Sequence, residues 1–335
     1  MYLGPDDWLA TVEAEYLRDF IAAGGAAVKF AVVLPPVTAA DVRGRLERAA
    51  AEYGFVVAAL DSATTKLHMI DQFFHALARQ LDWDALAREF LRDLLVANGL
   101  RLPDAPDAFA YAPIAALNGY PESELRREVR DRLIERVYLD FAMAQEFRIA
   151  MLRLCQAQLD PSEVVQGEAA AIRSWLRGEL RLISALKPAL IFQKIARHNA
   201  RDMFFSLAHW LRVADKPGLV LALDVSRYTA GRRPAEPDGT LYPTTAATMD
   251  AYEVLRQFVD ATDELEGCFI LVTAPPEFLE DERRGLARYD ALRLRVWDEV
   301  RDRYRANPLS SLVRLREEPV AASALPEAPA TPAWR

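Results

Sequence analysis

The loop at residues 34–41 stands where a phosphate-gripping turn would follow a first buried strand. It reads Leu34, Pro35, Pro36, Val37, Thr38, Ala39, Ala40, Asp41. A phosphate loop needs glycines so that backbone N–H groups can face the ligand. It also needs a lysine for the β- and γ-phosphates and a Ser or Thr hydroxyl for magnesium. In the register Gly-x-x-x-x-Gly-Lys-Ser/Thr, Leu34 and Ala39 replace the glycines, Ala40 the lysine and Asp41 the hydroxyl. The two prolines withdraw two further N–H donors. Asp41 sets negative charge where an effective site sets donors or positive charge. A second position of interest is Asp224, which ends the run Leu219-Val-Leu-Ala-Leu. A carboxylate there either holds magnesium or caps a turn. Val225 follows it, where an active nucleotide hydrolase usually carries a glutamate that positions water.

Those positions gain meaning only from the elements that carry them. Val28 to Leu34 is β-branched enough for a buried strand, stopped by Pro35-Pro36. Thr38 suits the N-cap of a helix whose Val42, Leu46, Ala49, Ala50 and Tyr53 share one face. Phe55 to Leu60 reads as a second strand, ending at Asp61. A strand–helix–strand unit this short predicts parallel strands and a right-handed crossover. An amphipathic helix over Trp8 to Ile21, closed by Gly24-Gly25, precedes it.

From Leu67 to about Lys187 the apolar spacing is helical, with a proline-containing loop at Leu102 to Asp107 and one long helix or two over Glu122 to Leu159. The α/β pattern then resumes. A helix is expected over Ile191 to Val213, the strand Leu219 to Asp224, and a loop over Tyr228 to Thr245. A helix over Met249 to Glu264, the strand Cys268 to Thr273, a helix over Asp290 to Tyr304 and a short strand Leu312 to Leu315 follow. The expected organisation is therefore an α/β core at 1–66 and 188–318, a helical insertion at 67–187 and a disordered tail at 319–335.

Composition narrows the chemistry. The chain has 335 residues, a net charge of −8 and two distant cysteines, Cys155 and Cys268. That excludes a disulfide framework and a thiolate metal cluster, and it fits a cytoplasmic protein. The N-terminal residues lack a signal-peptide pattern, and no apolar run is long enough to span a bilayer. The acidic balance argues against a generic nucleic-acid binder. His68 and His75, with Asp71 between them, have i, i+7 spacing rather than the i, i+4 of a zinc pair, and His198 and His209 lie eleven residues apart. No metal is expected.

The chain resembles the ATP-binding proteins of BREX anti-phage defence systems, within the wider AAA+ and STAND class. The resembling pieces, in order, are Glu15-Tyr-Leu-Arg-Asp-Phe20, Gly54-Phe-Val-Val57, Gly218-Leu-Val-Leu-Ala-Leu-Asp224, Phe269-Ile-Leu-Val-Thr-Ala-Pro-Pro-Glu-Phe278 and Arg283-Arg-Gly-Leu-Ala-Arg-Tyr-Asp-Ala-Leu292. The resemblance implies a P-loop NTPase (AAA+-like) parallel sheet flanked by helices, with the large helical insertion between the second and third strands. It makes Asp224 similar to the magnesium-facing acidic residue, Thr273 to a polar sensor, and Arg283 or Arg284 to an arginine finger acting in trans. It also implies protein partners, either other copies of the chain or an active ATPase of a defence complex. The phosphate loop departs from the pattern, and a C-terminal winged-helix module of the kind seen in related ATPases is not expected. A degenerate ATPase acting in assembly or regulation is therefore the leading expectation, with no cofactor. Two alternatives stand beside it: an active ATPase that binds ATP and magnesium through an atypical loop, and a nucleic-acid adaptor using Arg173, Arg177 and Arg181 as an i, i+4 stripe.

Overall fold

The computed structural model describes residues 2–230, 239–297 and 306–317. Five strands form one sheet: β1 Ala26–Val33, β2 Val56–Asp61, β3 Leu219–Asp224, β4 Cys268–Ala274 and β5 Leu312–Leu315. Their order across the sheet is β2-β3-β4-β1-β5, and every neighbouring pair is parallel. The helices are α1 Pro5–Val12, continuing as a π-helix to Ile21, α2 Ala39–Glu52, α3 Ile70–Ala78, α4 Trp83–Ala97 and α5 Tyr111–Asn118. They continue with α6 Glu122–Leu133, α7 Gln145–Ala157, α8 Glu163–Leu176 and α9 Ala200–Val213. The last four are α10 Ser226–Thr229, α11 Thr245–Asp260, α12 Glu277–Glu280 and α13 Asp290–Val296.

Handedness decides which helix covers which face. Parallel crossovers are almost always right-handed, so opposite directions of travel place their helices on opposite faces. From β1 to β2 the chain crosses the sheet one way, and its helix α2 packs with α1 on one face. There Trp8, Val12, Val42, Leu46 and Ala50 meet Ala27, Ala31, Val220, Phe269 and Leu271. The later connections all travel the other way. Their helices, α3 to α9 and α11 among them, pack on Ala26, Val28, Phe30, Leu221, Ile270 and Val272. Alternate residues of β1 and β4 thus enter two separate cores, and both strands are buried along their whole length because both faces are covered, with Lys29 and Thr273 their only polar members.

The entry to β3 depends on a close approach. Gly218 has φ 143°, and a Cβ there would stand 1.9 Å from the carbonyl oxygen of Gly267, the oxygen that accepts from Leu219 N–H at 2.8 Å. Only glycine lets the two backbones meet at the start of the β3–β4 ladder.

Several expectations change. The long predicted helix at Ile191 to Val213 begins only at Ala200, and residues 191–199 are irregular although Ile191 and Ile195 are buried. Leu190, at φ 62°, closes the preceding turn with Leu190 N–H on Lys187 O and Ile191 N–H on Leu186 O, and the chain leaves helical geometry there. Of the two alternatives for the stretch from Glu122 to Leu159, the structure has two helices, separated at residues 139–144. The arginine stripe is broken as well. Helix α8 ends at Leu176, so Arg173 lies within it and Arg181 beyond it, and Arg173 is paired with Asp84 at 2.7 Å. The predicted tail at 319–335 and the end of the helix expected to reach Tyr304 lie outside the described residues.

The helical segment between β2 and β3 is tied back to the sheet through His209 of α9. Its Nε2 meets Asp140 at 2.8 Å and its Nδ1 meets Glu266, just before β4, at 2.9 Å. Burial pulls the imidazole pKa down, but hydrogen bonds and charge from both carboxylates outweigh it, and the net shift is upward. A group whose folded pKa is raised stabilises the fold below its unfolded pKa and loses that contribution as pH rises through the folded value. Thermal unfolding should therefore show a stability loss for the wild type as pH rises above about 6.5, the ordinary imidazole value. His209→Gln should flatten that dependence, and an unchanged slope in the variant would refute the clamp.

Candidate functional site

In an open parallel sheet, ligands bind outside the carboxyl ends of the strands, where neighbouring connections leave toward opposite faces. Here that point lies between β1, which leaves toward the α2 face, and β4, which leaves toward the other. The loop at 34–41 and the ends of β3 and β4 surround it.

The loop closes on itself. Leu34 N–H donates to Leu315 O at 3.0 Å, and Val37 N–H donates to Leu34 O at 3.0 Å across the two prolines. Thr38 and Asp41 then form a capping box. Thr38 N–H and Oγ1–H donate to Asp41 Oδ2 at 3.0 and 2.6 Å, and Asp41 N–H donates back to Thr38 Oγ1 at 3.1 Å. Bonding from the Thr38 hydroxyl, then from its N–H, holds the Asp41 carboxyl below its ordinary range. From Leu34 to Asp41, only the Ala39 and Ala40 N–H groups fall outside these pairings. The N-terminus of α2 is the part of such a fold that would face a phosphate, and it faces its own carboxylate instead.

Beyond the loop, three residues stand side by side. Asp61, Asp224 and Thr273 occupy matched positions on β2, β3 and β4, with Ala31 next on β1. The alternation of the strands points all of them to the α2 face. Asp224 Oδ1 accepts from Ser226 N–H at 2.8 Å and so caps the turn into α10. Asp61 Oδ1 does the same for Ala63 N–H at 2.7 Å. Burial pushes the Asp224 carboxyl upward. The Ser226 bonds oppose that shift, the Asp61 charge adds to it, and Arg43 of α2 opposes it again. Thr273 is buried, and its hydroxyl donates to Leu223 O at 3.3 Å. Val225 is buried and brings no carboxylate.

Asp61 is the member of this row that sequence reasoning passed over. Its strand-end position was visible, but its pairing with Asp224 depends on strand order. Ser62 and Arg227 join the same edge, with Arg227 N–H on Ser62 Oγ at 3.1 Å and Arg227 Nη1 on Tyr242 OH at 2.7 Å.

The two candidate finger arginines separate. Arg284 Nη1 donates to Pro243 O at 2.9 Å, while its carbonyl accepts from Tyr252 OH at 2.5 Å. Arg283 is exposed, with only its backbone N–H tied, to Asp281 Oδ1 at 2.7 Å. The histidines are not gathered: His68 pairs with Tyr228 OH, His75 with Leu176 O and His209 with two carboxylates. Among the described residues no group of three His, Cys, Asp or Glu side chains could hold a metal, and no helix is long and apolar enough to cross a membrane. Two cavities of about 400 Å³ open in the helical segment, and neither is lined by Asp224 or the 34–41 loop.

A buried carboxyl with a raised pKa opposes folding once pH rises through its folded value. Asp224→Asn keeps an oxygen for Ser226 N–H and removes the repulsion with Asp61. The variant should melt at the same temperature as wild type or higher near neutral pH, with the difference vanishing below about pH 4. A clear loss of stability near neutral pH would show that the charge itself is structurally required.

Comparison with known proteins adds one match. The profile of the family described as BREX system ATP-binding protein BrxC/D matches residues 114–320, more than half of the chain. The matched span runs from α5 to beyond β5, covering Asp224, Thr273, Arg283 and Arg284 but not the 34–41 loop. No curated protein and no solved structure matches.

Proposed function

The chain belongs to the BREX system ATP-binding protein family BrxC/D, and from that premise we propose that it is a degenerate member, with an AAA+-like P-loop NTPase architecture, that works in assembly or regulation rather than in ATP hydrolysis. The observation that carries the reading is the Thr38–Asp41 capping box. It neutralises the helix end where a nucleotide's phosphates would sit, and no lysine approaches from the loop. Each charge-assisted phosphate bond is worth roughly 1.5–3 kcal/mol, so losing the set removes most of an ordinary nucleotide affinity. Asp224 and Thr273, each bonded within its own chain, then serve the sheet edge rather than magnesium or water.

The proposed partner is an active ATPase of the same system or another copy of this chain, and no cofactor is required. AAA+-type subunits meet so that an arginine of one reaches the phosphates held by the next. Arg283 is free to do that, whereas the Arg284 guanidinium is engaged with its own chain.

Two measurements test this reading. Isothermal titration with ATP–magnesium should give no binding at micromolar concentrations, and a micromolar Kd would return the chain to the nucleotide-binding class. In a mixture with an active ATPase of the system, Arg283→Ala should lower turnover at least about tenfold, the low end of what such arginines supply, while co-assembly persists. Unchanged turnover in the co-assembled variant would remove the finger and leave a scaffold.

A further inference from the structure

The segment at residues 180–201 is chemically unlike the rest of the chain. It carries Arg181, Lys187, Lys194, Arg197 and Arg201, with no Asp or Glu, in a protein whose net charge is −8. It is mostly irregular and lies on the surface, held by the buried side chains of Leu186, Ala189, Ile191 and Ile195. Lys194 Nζ donates to Arg181 O at 3.4 Å, which folds the segment back on its beginning. Lys194 and Arg181 are therefore brought together, and Lys187 and Arg197 are exposed on the same segment.

Two features separate this face from an ordinary solvated surface. The first is pairing. Arg201 bonds Glu264 at 3.2 Å, but Arg181, Lys187, Lys194 and Arg197 enter no ion pair among the described residues. Of the flanking acids, Glu179 is paired with Arg79 at 3.8 Å, and Asp202 is at the start of α9. The second is apolar exposure. Leu182 is 71% exposed, Leu190 58% and Phe192 62%. Leu190 holds φ 62°, a conformation that glycine adopts freely and that strains a leucine. The segment thus combines strain, unpaired positive charge and an aromatic ring in solvent.

We propose that this face binds single-stranded nucleic acid, with Lys187, Lys194, Arg181 and Arg197 on phosphates and Phe192 as a stacking platform for a base. Sequence-tolerant binding of single strands uses this combination of unpaired cations and an open aromatic face. A protein partner fits less well, because lysine is depleted from protein–protein interfaces and mixed charge is usual there. The site is independent of the nucleotide question at the strand ends.

The experiment is fluorescence anisotropy with a labelled mixed-sequence DNA single strand of about 20 nucleotides, longer than the site sizes usual for such surfaces. The same sequence as a duplex and poly-glutamate serve as competitors. Wild type should bind the single strand in preference to the duplex, and poly-glutamate should not displace it. Charge reversal of the exposed Lys187, Lys194 and Arg197 should weaken binding by at least about tenfold and reduce the salt slope by roughly 2, near 0.7 for each lost phosphate contact. Phe192→Ala should weaken it by about fivefold or more, the low end of base–aromatic stacking. Leu190→Gly relieves the left-handed strain, so it should fold at least as stably as wild type and still bind less tightly. Binding that is absent, equal in the charge-reversed variant, or tighter for duplex overturns the proposal. Displacement by poly-glutamate also overturns it, in favour of an acidic protein partner.

Discussion

Right-handed crossover is the constraint on which this molecule depends. With β1 set between β4 and β5, the β1–β2 connection travels one way across the sheet and every later one the other, so their helices fall on opposite faces. That single reversal sorts the apolar residues of every strand into two cores and sets α1 and α2 against the remaining helices. It also creates a crevice at the strand ends, whatever side chains occupy it. Architecture and chemistry are separable here because the first rests on alternating apolar residues and the second on a few loop atoms.

Within the crevice, electrostatics decides the outcome. A helix N-terminus offers unpaired N–H groups and a partial positive charge, and some acceptor must meet them. In a phosphate loop the ligand does so. In this chain Thr38 Oγ1 accepts from the Asp41 N–H, the Asp41 carboxylate accepts from the Thr38 N–H and sets its charge beside the remaining Ala39 and Ala40 N–H groups, and the diproline turn supplies no competing donors. Adding the carboxylate stabilises the apo helix and disfavours an anion at the same point.

Much of this was legible in the sequence, and the parts that were not have definite reasons. Short apolar runs marked the strands, because burial on both faces of the central ones leaves little room for polar residues. Thr38 was visible as an N-cap, but its box with Asp41 was not read, because the aspartate stood only as a charge hostile to phosphate. The false start of α9 came from Ile191 and Ile195, whose i, i+4 spacing mimics a helical stripe. Their burial comes instead from an irregular segment fastened at intervals, a pattern periodicity cannot distinguish. The Asp61–Asp224 pair was hidden for another reason: the two residues lie 163 positions apart, and only the strand order sets them abreast.

The buried carboxylates give the last step. A sheet edge with no remaining function should shed repulsive charge, since Asp61 and Asp224 stand abreast on adjacent strands and burial already raises one of them. Each is nevertheless fastened by a local turn, to Ala63 or Ser226, and in a parallel sheet those turns launch the connections that return the chain. Asparagine would cap the same turns without the charge, so turn chemistry alone does not select aspartate. What distinguishes aspartate is its response to positive charge, and Arg43 on α2 already lowers the Asp224 carboxyl from across the crevice. The carboxylate row and α2 are thus coupled through charge as well as packing.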